Sequence, residues 1–300
     1  MSVPMAYIGV IIIWSTTPLA LTWSSQDVGF VFGVTSRMVI GALLALIAAA
    51  LLGSGMQWNR RALLAYMASG LGIYGAMLSV YWAAQYIPSG WISLLFGLSP
   101  LFTAVMARFW LDGEAMTRSR LAGMFMGLAG LAVIFSSSLS LNTQAALGVV
   151  GVLLSGLIHS ASAVWVKRID AQLPAIVLTS GGLAIAAPLF LITWLFTQEA
   201  LPAEMSDRTT AAIAYLALFG SVLGFTLYYY VLRHIDATRV SLIALITPIC
   251  ALALGNMLNA EPLTSGIISG TALILSGLAL FELGGYVKHL RLRFRWGNAE

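Results

Sequence analysis

The spacing of its charges decides most about what this chain can become. Between one charged cluster and the next lie almost wholly apolar runs of about 20 residues. Ten can be cut from the sequence: 3–23, 29–53, 62–83, 88–110, 119–137, 145–166, 174–196, 209–231, 240–258 and 265–286. A helix rises about 1.5 Å per residue, so about 20 apolar residues cross the roughly 30 Å hydrocarbon layer of a bilayer. In lipid the backbone must satisfy its own polar groups, which makes each long run a helix. The expected fold class is all-α, a polytopic membrane protein with ten transmembrane helices. The connections are too short to hold a soluble domain. Composition agrees, since 60% of the 300 residues are hydrophobic and 9% charged, against about 25% charged in a typical soluble domain. The opening "MSVPMAYIGVIIIW" lacks the basic start and small-residue cleavage site of a signal peptide, so it reads as the first span.

The net charge of +4 is not a nucleic-acid signal, because the basic residues are sorted by side. Positive residues gather on the cytoplasmic side of membrane proteins. With the N-terminus placed inside, the inner loops hold Arg60 and Arg61, then Arg108, Arg118 and Arg120, then Lys167 and Arg168, then Arg233 and Arg239. Lys288, Arg291, Arg293 and Arg295 follow in the tail. Thirteen of the 15 Lys and Arg thus fall on one side, with Arg208 outside and Arg37 within span two. Both termini are therefore expected in the cytoplasm, with the lipid bilayer as partner and no nucleic acid. The single Cys250 excludes an intramolecular disulfide and a Cys-based metal cluster. No nucleotide-binding loop is present, so ATP is not expected to be used directly, and no cofactor or metal is expected.

The chain also repeats itself. At a shift of 148, Gly72 meets Gly220, Tyr81 meets Tyr229, Ile87 meets Ile235, Ser93 meets Ser241 and Pro100 meets Pro248. At a shift of 147, Glu114 meets Glu261, Gly123 meets Gly270 and Gly130 meets Gly277. Each half holds five spans, and an odd number turns the second half upside down. The expected organisation is two inverted five-helix repeats, 1–140 and 141–287, with a basic cytoplasmic tail at 288–300. Glu114 is then expected inside and Glu261 outside. Inverted repeats are the architecture of secondary transporters, which hold substrate near the midplane between the halves.

Pro100 and Pro248 each remove a backbone donor, and the freed carbonyl must find a partner in protein or a wet cavity. They are expected to be hinges in paired, bent helices lining a central site. Ser93, Gly97, Pro100 and Ala104 share one helical face, and Ser241, Leu245 and Pro248 follow the same spacing. A packing kink without a ligand accounts for the same prolines. Gly123/Gly127 and Gly266/Gly270, at small-xxx-small spacing, are assigned to helix packing.

Ionisable residues inside spans are functional candidates by default. His159 suits ligand contact or proton handling. Arg37 is expected to pair with backbone or lipid headgroup, and Glu282 to be structural. No carboxylate lies at mid-depth, which disfavours a dedicated cation/proton antiporter. A lone Arg37 is also thin equipment for phosphorylated substrates. Trp14, Tyr74 and Phe96 lie near mid-span, where rings can stack on an aromatic ligand or hold a cation, or simply fill the core. The repeat-related pairs Tyr81/Trp82 and Tyr229/Tyr230 are expected to form outer and inner gates.

Three features together carry a family resemblance: "WST" at Trp14–Thr16, a mid-helix proline followed by an acidic loop ("SPLFTAVMARFWLDGE", "TPICALALGNMLNAE"), and the Gly-rich run at 123–132. The chain resembles the drug/metabolite transporter superfamily, in particular ten-helix exporters built from two EamA-type halves. Within it the chain is most similar to the aromatic amino acid exporters of bacterial inner membranes. That resemblance implies a multi-pass protein of the bacterial inner membrane that exports amino acids and related metabolites, or organic cations such as paraquat. The second-half counterpart of "WST" is "HSA", His159–Ala161, where an aromatic ring is expected. The expected mechanism is alternating access, with substrate touching Trp14, Tyr74, Phe96, Ser99, His159 and Thr247. A broad drug or quaternary-cation exporter is the alternative. A remote one is an intramembrane enzyme built on Ser155 and His159, one helical turn apart.

Overall fold

The computed structural model describes residues 2–111, 117–137, 143–197, 201–234 and 243–296. All regular structure among them is helical. The helices are α1 (Val3–Trp23), α2 (Phe30–Leu51), α3 (Arg60–Ala83), α4 (Ser89–Phe96), α5 (Ser99–Trp110), α6 (Arg118–Ser137), α7 (Thr143–Ile169) and α8 (Ala175–Thr197). They continue with α9 (Asp207–Tyr215), a π-helical segment (Leu216–Leu223), α10 (Gly224–His234), α11 (Ile243–Asn259) and α12 (Ser265–Trp296). Among the described residues, seven stretches are long and apolar enough to cross a membrane, and Ile246–Asn259 and Ser265–Phe281 are shorter apolar helices. The all-α, polytopic expectation holds. Glu114, Ser241, Arg239 and the join between the halves at 138–142 lie outside the described residues, as do the side chains of Glu282, Leu245 and the tail.

Two expected spans are not single α-helices. Span four is broken between Phe96 and Ser99, with Pro100 in the first turn of α5. Proline has no N–H to return to the carbonyl one turn back, which is that of Phe96. The Ser99 hydroxyl donates to that carbonyl instead. Its mate behaves differently, because Pro248 sits inside a continuous α11. Of the two expected bent helices, the first is broken outright, while Pro248 lies within a helix that is α-helical throughout Ile243–Asn259. Span eight carries the π segment between two α-helical pieces.

The packing is two-fold in pattern. Helix α6 lies on α12, α2 on α8 and α4 on α11, while the α3–α7 contact is mirrored by α10–α1. Helices α6 and α12 meet through glycine. A Cβ on Gly123 would stand 2.4 Å from the Gly277 carbonyl oxygen, and one on Gly130 would stand 2.6 Å from that of Gly270. Gly123 therefore meets Gly277, the counterpart of Gly130 at the shift of 147, and Gly130 meets Gly270, the counterpart of Gly123, so the two contacts are reciprocal. Hydroxyls bind other helices together: Ser155 Oγ donates to Ala76 O (2.7 Å), Ser162 Oγ to Ala68 O (2.9 Å) and Ser180 Oγ to Ala45 O (2.9 Å). Such bonds matter where water offers no competing partner.

Glu261, one of the two matched acids, is buried at the start of α4. Its carboxylate accepts from Ser89 N–H and Gly90 N–H, both at 3.0 Å, and from Asn259 Nδ2 at 3.0 Å. Gly255 leaves the space, since a Cβ there would come within 2.4 Å of the carboxylate. A negative charge at a helix start is doubly suited, by hydrogen bonds and by the helix dipole. Glu261→Ala is expected to cost about 2 kcal/mol, the scale of charge-assisted bonds lost from buried donors. A thermal melt in detergent reads this, with Gly55→Ala as control because nothing lies within 4 Å of that site. Near the start of α9, Asp27 accepts from the Ser206 and Thr209 hydroxyls, which hold its carboxyl below the usual range.

Candidate substrate-binding cavity

The break after Phe96 adjoins an open space within the bundle, while α5 itself packs on α7. A cavity of about 510 Å³ fills it, bordered by α1, α2, α3, α4, α5, α6, α7, the π segment, α10, α11 and α12. That volume lies within the range of small-molecule sites. One end is bounded by Leu21, Val80 and Ile92, the other by Leu111, Arg120 and the exposed Lys167. Arg120 stands 5.6 Å over the Phe281 ring at that second end.

A chain of rings crosses the cavity wall. Trp14 lies 4.9 Å from Tyr228, Tyr228 6.1 Å from His159, and His159 5.3 Å from Phe96. Four elements supply them: α1, α10, α7 and the end of α4. All four rings line the cavity, beside Ser93, Gly97, Ser99, Pro100, Ala104 and Thr247. The face expected on span four is therefore brought together. Trp14, Phe96, Ser99, His159 and Thr247 converge as well.

Other expected site residues lie elsewhere. Tyr74 turns to α8, where its hydroxyl hydrogen-bonds Thr193 Oγ1 at 2.6 Å and its ring meets Phe190 edge-on. The reason is helical phase, since Met77 and Val80 are the α3 residues on the cavity. Ser99 borders the cavity, but its hydroxyl donates to Phe96. Of the proposed gates, Tyr81 is fully buried and accepts from Ser24 Oγ at 3.3 Å. Trp82 packs on Tyr86 and against Gly151 of α7. Tyr229 hydrogen-bonds Ser69 at 3.4 Å, and Tyr230 packs on His234. Neither Tyr229 nor Tyr230 borders the cavity. The Ser–His pair of the enzyme reading is not formed, because Ser155 donates to Ala76.

Two contributors were missed from sequence. Tyr228 stood beside Tyr229 in "YYY", and the repeat pointed to Tyr229. Each π turn consumes about one residue more than an α turn, which rotates the rest of the helix by roughly 100°. That rotation puts Tyr228 on the cavity. Arg37 is the other. Instead of pairing with backbone or headgroup, its Nε donates to Ser221 Oγ of the π segment at 3.0 Å, and the side chain borders the cavity.

A bundle of membrane-spanning helices, two-fold in its packing and enclosing a ring-lined cavity, defines a membrane transport protein. The profile of the EamA-like transporter family matches residues 2–136 and 146–283, and the chain belongs to that family. It is 26% identical to the "uncharacterized transporter YoaV" of Bacillus subtilis, over 92% of this chain and 95% of that one. It is 23% identical to a "probable terminal-alkyne amino-acid exporter" of Streptantibioticus cattleyicolor, over 90% and 93%. The "uncharacterized inner membrane transporter YedA" of Escherichia coli is 29% identical over 68% of this chain and 65% of its own. A solved crystal structure 20% identical in sequence shares the fold, with a TM-score of 0.70 over 94% of this chain and 98% of that one.

Proposed function

We propose that the protein exports small amphipathic metabolites, foremost aromatic or hydrophobic amino acids, across a bacterial inner membrane by alternating access. The observation that carries this reading is the wall of Trp14, Phe96, His159 and Tyr228 in a cavity of about 510 Å³. Such rings offer an apolar body flat surfaces to stack on, and the nearby hydroxyl and imidazole groups accept or donate to its polar end. The relative named a "probable terminal-alkyne amino-acid exporter" agrees with it. The sorted basic loops support termini, and a cavity end at Lys167, on the cytoplasmic side, and on that reading this conformation faces inward. Residues 1–140 and 141–287 act as the two repeats that rock against each other. The chain performs transport and not covalent chemistry.

A broad quaternary-cation exporter is disfavoured by the cavity's charges. Arg37, Arg120 and Lys167 border it, and no Asp or Glu among the described residues does. Counterflow in proteoliposomes separates the two, with labelled aromatic amino acids and labelled paraquat run with and without a pH gradient. Exchange of phenylalanine or tryptophan, with paraquat at the background of empty vesicles, is expected. Paraquat exchange without amino-acid exchange would reverse the assignment.

A further inference from the structure

Arg37 is 1% exposed. Its Nε is satisfied by a neutral hydroxyl, Ser221 Oγ, and its Nη1 has no hydrogen-bond partner among the described residues. The Tyr81 ring lies 6.0 Å from its Cζ, offering only the partial negative charge of a π face. A buried cation without an anion is costly. The surroundings are nonetheless built to admit it. The π segment presents Ser221 to Nε, and Gly220 leaves room, since a Cβ there would stand 3.0 Å from Nη2. Gly224, four residues on, sits beside the Trp14 indole, with its Cβ position 3.7 Å from Nε1. One helical face thus sets the guanidinium and the ring cluster side by side in one cavity.

We propose that Arg37 is the anion anchor of this cavity. Its free Nη1 takes the carboxylate of the transported molecule, while the Trp14, Tyr228 and Phe96 rings take the apolar body. This rests on the reading of the cavity as a transport site and narrows its substrates to amphipathic carboxylates. A monoanion suits a single guanidinium with one free donor. The substrate supplies the countercharge that the protein withholds, so an uncharged analogue of equal shape leaves the guanidinium unpaired and binds less well.

The test uses the purified full chain in detergent, with 3-phenylpropanoate, its amide 3-phenylpropanamide and inorganic phosphate as probes, read by calorimetry. Wild type is expected to bind the acid about tenfold or more tightly than the amide, the scale of one charge-assisted bond. Arg37→Gln should abolish that preference, the acid falling to the affinity of the amide, while Arg37→Lys should keep part of it. Gly220→Ala, which retains Arg37 but crowds it, should weaken acid binding alone. Equal binding of acid and amide by wild type would overturn the proposal even if no variant folds. So would a preference that survives in Arg37→Gln, or phosphate displacing the acid at matched concentration. If the acid preference depends on Arg37 but amino-acid counterflow is absent, the export reading falls and the anchor stands. If counterflow and the acid-to-amide ratio are both unchanged in Arg37→Gln, the anchor falls and the export reading stands.

Discussion

Gly123→Leu is expected to yield little folded protein. Helices α6 and α12 meet backbone to backbone. Any Cβ at position 123 would stand 2.4 Å from the Gly277 carbonyl oxygen and 2.8 Å from Phe281 N. No rotamer relieves a contact with backbone, so the helices must separate. Separation undoes the reciprocal contact of Gly130 with Gly270 and strips neighbours from Ile134, Ile274 and Phe281, all buried. Overpacking of this kind costs about 3 kcal/mol or more, a large part of what holds a domain together. The check is the yield of monodisperse protein on size exclusion in detergent, and the melting temperature of what survives. Gly277→Leu should match it, because it strikes the same contact from the other side. A leucine at either position that leaves yield and melting unchanged would show that the helices do not approach as described.

Ala104→Trp is expected to leave the fold and abolish transport. Ala104 is half-buried on α5 and borders the cavity. The large ring has the cavity to enter, so it displaces ligand without forcing helices apart. Counterflow of phenylalanine should fall to the level of empty vesicles, with a change in melting small beside that of Gly123→Leu. The pair of variants separates two structural roles in this molecule: one contact between helices has no space at all, and one region between them holds space for cargo. Transport that persists in Ala104→Trp would place the substrate path elsewhere.

Much of this was legible in the sequence because lipid leaves few choices. The ten apolar runs anticipated the helices closely, as in 3–23 against Val3–Trp23 and 174–196 against Ala175–Thr197. The last helix runs further than expected, to Trp296. The proline that broke span four was visible, and so was the small-residue face of Ser93, Gly97, Pro100 and Ala104. Trp14, Phe96 and His159 were recognisable as rings or titratable groups far from any loop. What failed did so for reasons of phase. Tyr74 and Trp82 lie on the faces of α3 that meet α8 and α7. Tyr228 was overlooked because a π segment lies upstream, and the hydrophobic pattern does not register one.

By itself the sequence determined that this chain lives in a bilayer as a bundle of helices, because unsatisfied backbone and buried charge are intolerable there and only apolar helices with sorted basic loops escape both penalties. Which side chains meet between those helices was settled by the tertiary structure alone. Rotation about each axis depends on where helices break or widen, as at Phe96 and Leu216–Leu223, and on where glycine lets backbones touch. Those local distortions carry Arg37, Trp14, Tyr228 and Phe96, from distant parts of the chain, onto one cavity.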